Sequence, residues 1–573
     1  MATAAVVLPR LRTRSRSRAR VHPRRLPIEG TLLFALALSF YIVVANYLVF
    51  HLHFMIDDAY ARIDNAFNVL FTGDPHLAAI GFFWPPLPSF LELPIIAFKG
   101  FWPGLVTQGF AGSIEAAIFS AGTVVVLNSG LRWAGVLRGM RWILCLVWVL
   151  NPMTIIYAAQ GMSEATFIFF FVASIIVFLR WAESNRASLL PLMGILVGLD
   201  CLCRNEAFAL ALVMGIAVII MAIRRGGKWR EVETVALMFG LPAIMVIMLW
   251  LGTAAIVLHD PLYLLHANGV IPTGGGGGGG TGAASSASQA AASAQRANAF
   301  GLVVHPTWRD SATYIVGRAV ALFPGVLAML ALLGARIAVR KNRIPAILLI
   351  AMGGSITAID IYLARGGLGP YLRYQISVIP FAFLAAIYVL RSVRGRRWVI
   401  SSWLALAIAV LLAASNMLTA QTLANPDIAP QEAPLLAALS AGKSVPQATG
   451  QRNKIDIGAQ ITPRILALDT DGGRILCDSS TCFPIILNAP NPKQFVVTSD
   501  RIFEAAAAQP RVYQVEYFLV PALNGLGALD RLNVLYPGLY EDGAGFAQQI
   551  GSVDGDPMGP WRLYRITGPT GRG

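Results

Sequence analysis

Long apolar stretches separated by short polar turns fill the chain from about residue 31 to residue 418. A helix that crosses a bilayer needs about 20 apolar residues, and about eleven stretches approach or reach that length. The predicted spans are 31–51, 107–128, 142–158, 164–180, 188–203, 207–223, 234–257, 317–335, 344–363, 374–390 and 398–418. The pattern therefore predicts a polytopic α-helical membrane protein.

The segment 52–106, between the first two predicted spans, is too apolar for a solvated loop. Its apolar residues recur at helical spacing, whereas polar residues take other faces. The repeating residues are Tyr60, Ile63, Phe67 and Leu70. This outer segment is predicted to hold an amphipathic helix on the membrane surface.

A second outer loop, 258–316, contains seven consecutive glycines, Gly274 to Gly280, followed by a tract of Ala, Ser and Gln. This composition predicts a flexible coil. The glycine-rich loop is either low-complexity padding or a segment whose ends form a lid over a site.

Hydropathy falls after Asn425, and the remaining segment, 425–573, has a mixed pattern that predicts a small α/β domain. Strand-like runs occur at 464–468, 495–498, 512–519 and 561–566, and helices are predicted near 504–508 and 530–535. Cys477 and Cys482 lie close together in CDSSTC. A disulfide between them is permitted outside the cytoplasm, and the sequence leaves that bond open.

Composition and charge agree with this architecture. Hydrophobic residues make up 56% of the chain and charged residues 13%, against about 25% charged residues in soluble domains. The net charge is +15, but more than half of the 45 lysines and arginines lie in the N-terminal tail, 1–30, and in alternate loops. This is the positive-inside pattern of a plasma-membrane protein with a cytoplasmic N-terminus and an extracytoplasmic 425–573 domain. It gives no indication of nucleic-acid binding.

Ionisable residues in the apolar part gather towards the predicted outer surface. Each costs about 2.5 to 3.5 kcal/mol at mid-membrane, so each should have a reason. The group comprises Glu115, Glu164, Asp200, Arg204, Glu206, Asp360, Arg365 and Arg373. This one-sided distribution favours chemistry at the membrane surface over transport, which places its binding residues near the midplane. An alternative is that Glu206 with Arg204, and Asp360 with Arg365, are structural ion pairs.

Asp57 and Asp58, in FMIDDAYARIDNAF directly after the first span, are the strongest catalytic candidates. As neighbours they point in different directions, so one can face a substrate while the other caps the next helix. The alternative is that both only cap that helix. A carboxylate beside the bilayer is expected to have a raised pKa, which suits a general base.

The run Asp57-Asp58-Ala59-Tyr60, followed by Pro85-Pro86-Leu87, resembles the GT-C superfamily of polytopic glycosyltransferases. The likeness is to the branch with protein O-mannosyltransferases, aminoarabinose transferases and lipopolysaccharide-core transferases. It covers residues 31–420 and extends to NPMTIIYAAQGMSEA, 151–165, and RNEA, 204–207. One departure is Trp84, because members of this branch often have a basic residue or histidine before Pro-Pro-Leu.

This resemblance implies a sugar donor carried on a polyprenyl phosphate and inverting transfer to an acceptor hydroxyl at the extracytoplasmic face. The acceptor, a glycan, lipid or protein, stays open, as does the choice of Asp57 or Asp58 as catalytic carboxylate. A transporter or flippase of a lipid-linked or small solute is the chief alternative, and a non-catalytic membrane scaffold is a third.

Further site residues follow from the chemistry that such a donor needs. Guanidinium groups match phosphate oxygens and tyrosine hydroxyls can donate to them, so the predicted phosphate-binding residues are Arg365, Arg373, Arg204, Tyr371 and Tyr374. The predicted acceptor-binding or supporting residues are Glu164, Glu206, Tyr60 and Trp84. The sequence requires no cofactor. A divalent metal ion bridging carboxylates and phosphate is compatible with it, but no spacing demands one.

Overall fold

A computed structural model describes residues 28–263, 301–339, 343–393, 398–450, 453–468, 472–554 and 559–571. Most of the predicted basic tail, 1–30, and the centre of the glycine-rich loop, 258–316, lie outside the described residues. The described ranges include all of the predicted spans and most of the 425–573 domain.

Apolar helices dominate residues 28–423. Within the described ranges, eight are long and apolar enough to cross a bilayer, namely Ile28–His51, Phe110–Ala134, Ser163–Ser184, Ala207–Arg224, Trp229–Leu258, Ile344–Gly366, Leu372–Val393 and Ser402–Leu423. Two bent pairs qualify when each is taken together, Arg138–Val149 with Pro152–Ala159 and Trp308–Leu322 with Gly325–Val339. The chain is therefore a multi-pass membrane protein, as predicted.

The described residues give up to ten spans rather than eleven. The remaining predicted span corresponds to Leu189–Cys201, a helix of 13 residues, which reaches only about 20 Å at 1.5 Å per residue. The predicted span 142–158 bends by 66° because a new helix starts inside it. Asn151 caps that helix by accepting a hydrogen bond from the Thr154 backbone N–H at 3.0 Å, and Pro152 follows at its first position.

The segment 52–106 after the first span contains the helices Asp57–Phe71, Leu87–Ile96 and Gly104–Thr107 and the 3₁₀ turns Leu77–Ile80 and Ala97–Gly100. The predicted amphipathic helix exists, but it does not simply lie on the membrane surface. Tyr60 is buried on one side of it, and Asp64 and Asn68 are buried as well. The C-terminal domain covers Tyr60 in part: the Phe483 ring lies edge-on to the Tyr60 ring, with the two centroids 5.7 Å apart.

The C-terminal domain has a mixed α/β fold, as predicted. Its helices are Ala433–Ala441, Val445–Thr449, Lys454–Leu466, Ser479–Asn488, Phe503–Ala508, Arg531–Leu535 and Leu539–Asp542. Its strands are β1 (Arg474–Cys477), β2 (Phe495–Val497), β3 (Val515–Val520), β4 (Ala547–Val553) and β5 (Trp561–Ile566). The sheet order is β2-β1-β3-β5-β4, with β1 parallel to β2 and β3, and β5 antiparallel to its neighbours.

Two local features of this domain differ from, or add to, the predictions from the sequence. The predicted strand at 464–468 is wrong, because that run ends the Lys454–Leu466 helix. A short apolar run alone does not separate strand from buried helix. Cys477, at the end of β1, forms a disulfide with Cys482 in the next helix.

The C-terminal sheet is docked on the membrane helices rather than tethered beside them. Ile475 and Phe495, on one face of the sheet, belong to the same continuous hydrophobic core as the spans. Leu476 and Val496, on the other face, pack in a separate core within the domain. Successive side chains along each strand point to opposite faces, so the sheet lies between the two cores.

Candidate active site

Five of the predicted residues meet in one charged cluster. The Arg373 guanidinium donates to Asp58 at 2.5 Å, and its Nε lies 3.9 Å from Glu164. Arg204 pairs with both Glu164 and Glu206 at 2.5 Å. Glu164 therefore lies between two guanidinium groups, and the chain of contacts runs from Asp58 to Glu206.

The members of the cluster come from four helix ends or turns, with Arg204 and Glu206 sharing the turn between Leu189–Cys201 and Ala207–Arg224. Asp58 lies in the first turn of Asp57–Phe71, and Glu164 in the first turn of Ser163–Ser184. Arg373 lies in the 3₁₀ turn Leu372–Gln375. Acidic side chains are favoured at helix N-termini by the backbone dipoles, so both carboxylates occupy positions that their sequence context supports.

Glycine allows one of these helix ends to approach the next helix closely. Gly161, just before Glu164, has a φ of +67°, and a Cβ there would lie 2.6 Å from the Gly112 carbonyl carbon. Only glycine avoids this clash and tolerates the left-handed conformation. The short turn 160–162 can then lead directly into the helix that presents Glu164.

Aromatic rings surround the two central arginines. The Arg373 guanidinium lies over Tyr371 at 5.0 Å and over Tyr374 at 5.6 Å from the ring centroids. Arg204 lies over Tyr374 at 5.8 Å and over Phe167 at 5.9 Å. The two tyrosines thus present ring faces to the arginines in this structure, which restricts the guanidinium planes.

The members of the cluster differ in their exposure to solvent. The Asp58 side chain is 39% exposed, whereas those of Arg373 and Glu164 are 6% and 0% exposed. Burial raises the pKa of Asp58, but the charge and hydrogen bond of Arg373 outweigh it and hold the pKa below its ordinary value. The expectation of a raised pKa is wrong for Asp58, because it did not include this partner.

Asp57 takes a different position from its neighbour. It is exposed and lies at the first residue of the helix, before Asp58. Successive helical residues are turned by about 100° (3.6 residues per turn), so the two carboxylates leave the helix in different directions, as predicted.

Arg365 and Tyr60 lie apart from the cluster. Arg365 is exposed, stacks on Trp308 at 4.6 Å and donates to the Pro306 carbonyl at 3.3 Å. The alternative that Asp360 and Arg365 form an ion pair is wrong for the described part of the chain, where Arg365 contacts Trp308 and Pro306 instead. Tyr60 donates to the Thr107 carbonyl at 3.0 Å beneath the C-terminal domain.

Arg62 is a cluster neighbour that the sequence pattern did not reveal. It is 6% exposed, its guanidinium lies over the Trp84 ring at 5.0 Å, and it interacts electrostatically with Asp58 and Glu164. The signal was available, because Arg62 follows Asp58 by four residues and i, i+4 positions share a helix face. Trp84 is therefore close to the site, through Arg62.

Gln160 fixes the end of the loop that leads into Asp57 and Asp58. Its amide donates to the Phe54 carbonyl at 3.0 Å and its carbonyl oxygen accepts from the Ile56 N–H at 2.9 Å. Gln160 is fully buried, and Ile56 directly precedes the first helical residue. These two hydrogen bonds hold the backbone directly before the first helical residue.

The C-terminal domain holds the other end of the same loop. The Asn453 side chain donates to the His53 carbonyl at 2.7 Å, and Asp456 pairs with the His53 ring at 2.8 Å. The Val445 N–H donates to the Leu52 carbonyl at 2.8 Å. His53 has a φ of +51°, which is rare for residues other than glycine, so these contacts hold a strained residue.

A second link from the C-terminal part reaches the back of the cluster. The Tyr157 hydroxyl donates to Glu432 at 2.5 Å, and both side chains are buried. Glu432 also interacts electrostatically with Arg373 and Glu164. It was missed because it lies in the connection after the last span, far from the other members in sequence.

The cluster does not have the form of a metal site. Asp58 and Glu164 both contact guanidinium groups, which compete with a cation for their oxygens. Across the described ranges, no group of three or more His, Cys, Asp or Glu side chains is placed to hold a metal ion. A divalent metal ion, which the sequence allows but does not require, therefore has no assigned ligands among the described residues.

Comparison with known proteins identifies the fold. No family model matches the chain, and no curated protein matches its sequence. The solved structure of ArnT from Cupriavidus metallidurans bound to undecaprenyl phosphate is 13% identical, with 94% of this chain and 98% of ArnT covered and a TM-score of 0.52.

An oligosaccharyltransferase from Archaeoglobus fulgidus in the apo form is also similar. It is 13% identical over 85% of this chain and 69% of its own, with a TM-score of 0.43 that adds nothing to the assignment. The likeness to ArnT extends over nearly the whole of both chains. The chain therefore has the fold of ArnT, and the fold implied by the sequence resemblance is confirmed.

Proposed function

We propose that this chain is an integral membrane glycosyltransferase that moves a sugar from a polyprenyl-phosphate donor to an acceptor hydroxyl. The single observation that supports this most strongly is the Asp58–Arg373 pair at 2.5 Å, backed by Glu164 and Arg204. It puts a carboxylate beside phosphate-binding chemistry, on the fold of a protein that was solved with undecaprenyl phosphate.

Arg373 and Arg204 are the proposed phosphate ligands. Guanidinium groups bind phosphate oxygens through paired N–H donors, and these two are held in fixed orientations by Glu164 and the surrounding rings. Glu164, which is fully buried, has the role of orienting both arginines rather than of contacting the acceptor. Arg365 has no part in this proposal, because it stacks on Trp308 instead.

Asp58 is the proposed general base. The acceptor oxygen attacks the anomeric carbon of the sugar while its proton passes to the Asp58 carboxylate. The bond from that carbon to the phosphate oxygen breaks, and its electron pair leaves with the polyprenyl phosphate. A single displacement of this kind inverts the configuration of the anomeric carbon, and base catalysis contributes about 10² to 10⁴ in rate.

Phosphate binding by Arg373 and proton acceptance by Asp58 affect each other through their charges. A donor phosphate that approaches Arg373 competes with Asp58 for the guanidinium, and this competition increases the basicity of the carboxylate as the site fills. Once Asp58 has taken the proton, the arginines face one fewer carboxylate charge. The leaving phosphate gains that negative charge at the same moment, so the cluster favours the products electrostatically.

The orientation in the membrane is part of the proposal. The basic tail and basic alternate loops support a cytoplasmic N-terminus. A plasma-membrane location is a further part of the proposal. With the short helix Leu189–Cys201 counted as an eleventh crossing, that topology puts the C-terminal domain, and the Asp58 loop that it contacts through Asn453, on the extracytoplasmic face. The acceptor then meets the donor outside the cytoplasm, beside the lipid surface.

A reconstitution experiment tests the enzyme against the transporter. Proteoliposomes with the purified chain receive undecaprenyl phosphates that carry labelled glucose, mannose, galactose or arabinose, together with an extract of envelope lipids and glycans as acceptor. The proposal predicts a new labelled glycoside and the release of undecaprenyl phosphate for one of these donors. Label that crosses the bilayer without any new glycoside would contradict it and support the transporter.

A further inference from the structure

Arg62 differs from the other two arginines of the site in its contacts. Arg373 and Arg204 each have a carboxylate partner at 2.5 Å. Arg62 has no ion pair among the described residues, and its only hydrogen bond there is a long one, 3.5 Å, to the Pro85 carbonyl. Its Nε is buried and has no partner in the described part of the chain.

A buried guanidinium whose N–H donors lack hydrogen-bond partners lowers the stability of the protein. Arginine carries five N–H donors and stays protonated, and each buried donor without a partner costs about 1 to 3 kcal/mol. Arg62 is 6% exposed, so solvent does not satisfy the missing bonds fully. Its donors are therefore available to a ligand that brings its own acceptor oxygens.

The surroundings hold Arg62 in place. Its guanidinium lies over the Trp84 ring at 5.0 Å, and its own carbonyl accepts a hydrogen bond from the Ser89 hydroxyl at 3.1 Å. The Leu87 N–H donates to the Leu202 carbonyl at 2.9 Å, near Arg204. The Pro-Pro-Leu turn is thus attached both to the helix of Arg62 and to the turn of Arg204.

Arg62 also lies on the same side of its helix as the proposed base. Asp58 precedes it by one turn, and side chains four residues apart are about 5 to 6 Å from each other at Cβ. Arg62 interacts electrostatically with Asp58, Glu164 and Arg204. A group bound by Arg62 would consequently lie beside the carboxylate that takes the proton.

We propose that Arg62 binds the phosphate group of the lipid-linked donor, with Trp84 holding the guanidinium plane. This inference rests on the proposed function. It also explains the departure at Trp84, because the positive charge is supplied by a helix next to the Pro-Pro-Leu turn rather than by the residue before Pro85.

The competing explanation is that Arg62 only balances Glu92. That carboxylate is fully buried, neither of its oxygens has a partner among the described residues, and it interacts electrostatically with Arg62. If so, removing the charge of Glu92 should make Arg62 unnecessary. A ligand role predicts the opposite, since loss of Glu92 supplies no phosphate donor.

The test measures binding of undecaprenyl phosphate and of undecaprenol to the purified full chain by native mass spectrometry. We expect Arg62→Gln to weaken undecaprenyl phosphate binding by about 10- to 100-fold, the equivalent of a lost charge-assisted hydrogen bond, and to leave undecaprenol binding unchanged. Arg62→Lys should retain part of the affinity. The matched control is Arg225→Gln, which removes an arginine stacked on Trp181 at 4.6 Å and should not change binding.

Three results would overturn the inference. Unchanged phosphate binding by Arg62→Gln, or restored binding when Glu92→Gln is added to it, leaves Arg62 without a ligand role. An equal loss of undecaprenol and undecaprenyl phosphate binding indicates structural damage instead, and Arg62→Lys would share it. If wild type does not prefer undecaprenyl phosphate to undecaprenol, the proposed function itself fails.

Discussion

Substitution of Asn453 by alanine should reduce turnover without unfolding the protein. Asn453 belongs to the C-terminal domain, and its side chain donates to the His53 carbonyl at 2.7 Å. His53 lies in the loop that leads into Asp57 and Asp58 and has a φ of +51°. The substitution therefore removes one support of a strained residue close to the proposed base.

The free energy of the Asn453–His53 hydrogen bond is similar in size to the conformational strain at His53. A neutral hydrogen bond contributes about 1 kcal/mol, and a non-glycine residue in the left-handed region costs about 1 to 3 kcal/mol. Without Asn453, relaxation of His53 is no longer opposed by that bond. A shift of about 1 Å at a catalytic group costs about 10²-fold in rate, so we expect kcat to fall 10- to 100-fold.

The assay is sugar transfer at saturating donor, with thermal melting in detergent measured in parallel. Arg501→Gln is the matched control, because it breaks the exposed Arg501–Asp74 ion pair to the outer segment without touching the His53 loop. It should leave kcat unchanged, since an exposed pair contributes little. Wild-type kcat in Asn453→Ala, or an equal loss in the control, would refute the positioning role of the C-terminal domain.

Two further predictions concern the cluster itself. Because Arg373 lowers the pKa of Asp58 and burial raises it, Arg373→Gln should raise that pKa, and the acid side of the kcat–pH profile should move to higher pH; an unmoved profile would exclude Asp58 as the titrating base. Tyr157→Phe leaves the buried Glu432 carboxylate without its hydrogen bond and should destabilise the protein by about 1 to 3 kcal/mol, measured as a lower melting temperature, whereas Glu432→Gln keeps an acceptor and should cost less.

The sequence predicted the cluster where charge in an apolar context required a partner. Asp58, Glu164, Arg204 and Arg373 all lie at helix ends or turns of the apolar region, and the cost of leaving such groups alone brings them together. Local pattern was enough for the fold class, because each long apolar helix is defined by its own residues.

The sequence did not predict which way individual side chains point or which residues far apart in the chain they contact. Arg365 is only eight residues before Arg373, but the chain turns at Gly367, with a φ of +113°, and leaves the two arginines with different neighbours. The sequence did not mark Arg62 as a site residue. It is buried because the Trp84 ring and the Pro85 turn, more than 20 residues later in the chain, pack against its guanidinium.

The most direct test of the central claim is to compare sugar transfer by Asp58→Asn and Asp57→Asn at saturating donor. If Asp58 is the general base, its asparagine variant should lose about 10² to 10⁴ in kcat while retaining undecaprenyl phosphate binding. Asp57→Asn, at the exposed first position of the same helix, should keep most of its activity. Transfer by a folded Asp58→Asn variant at the wild-type rate would contradict the proposed mechanism.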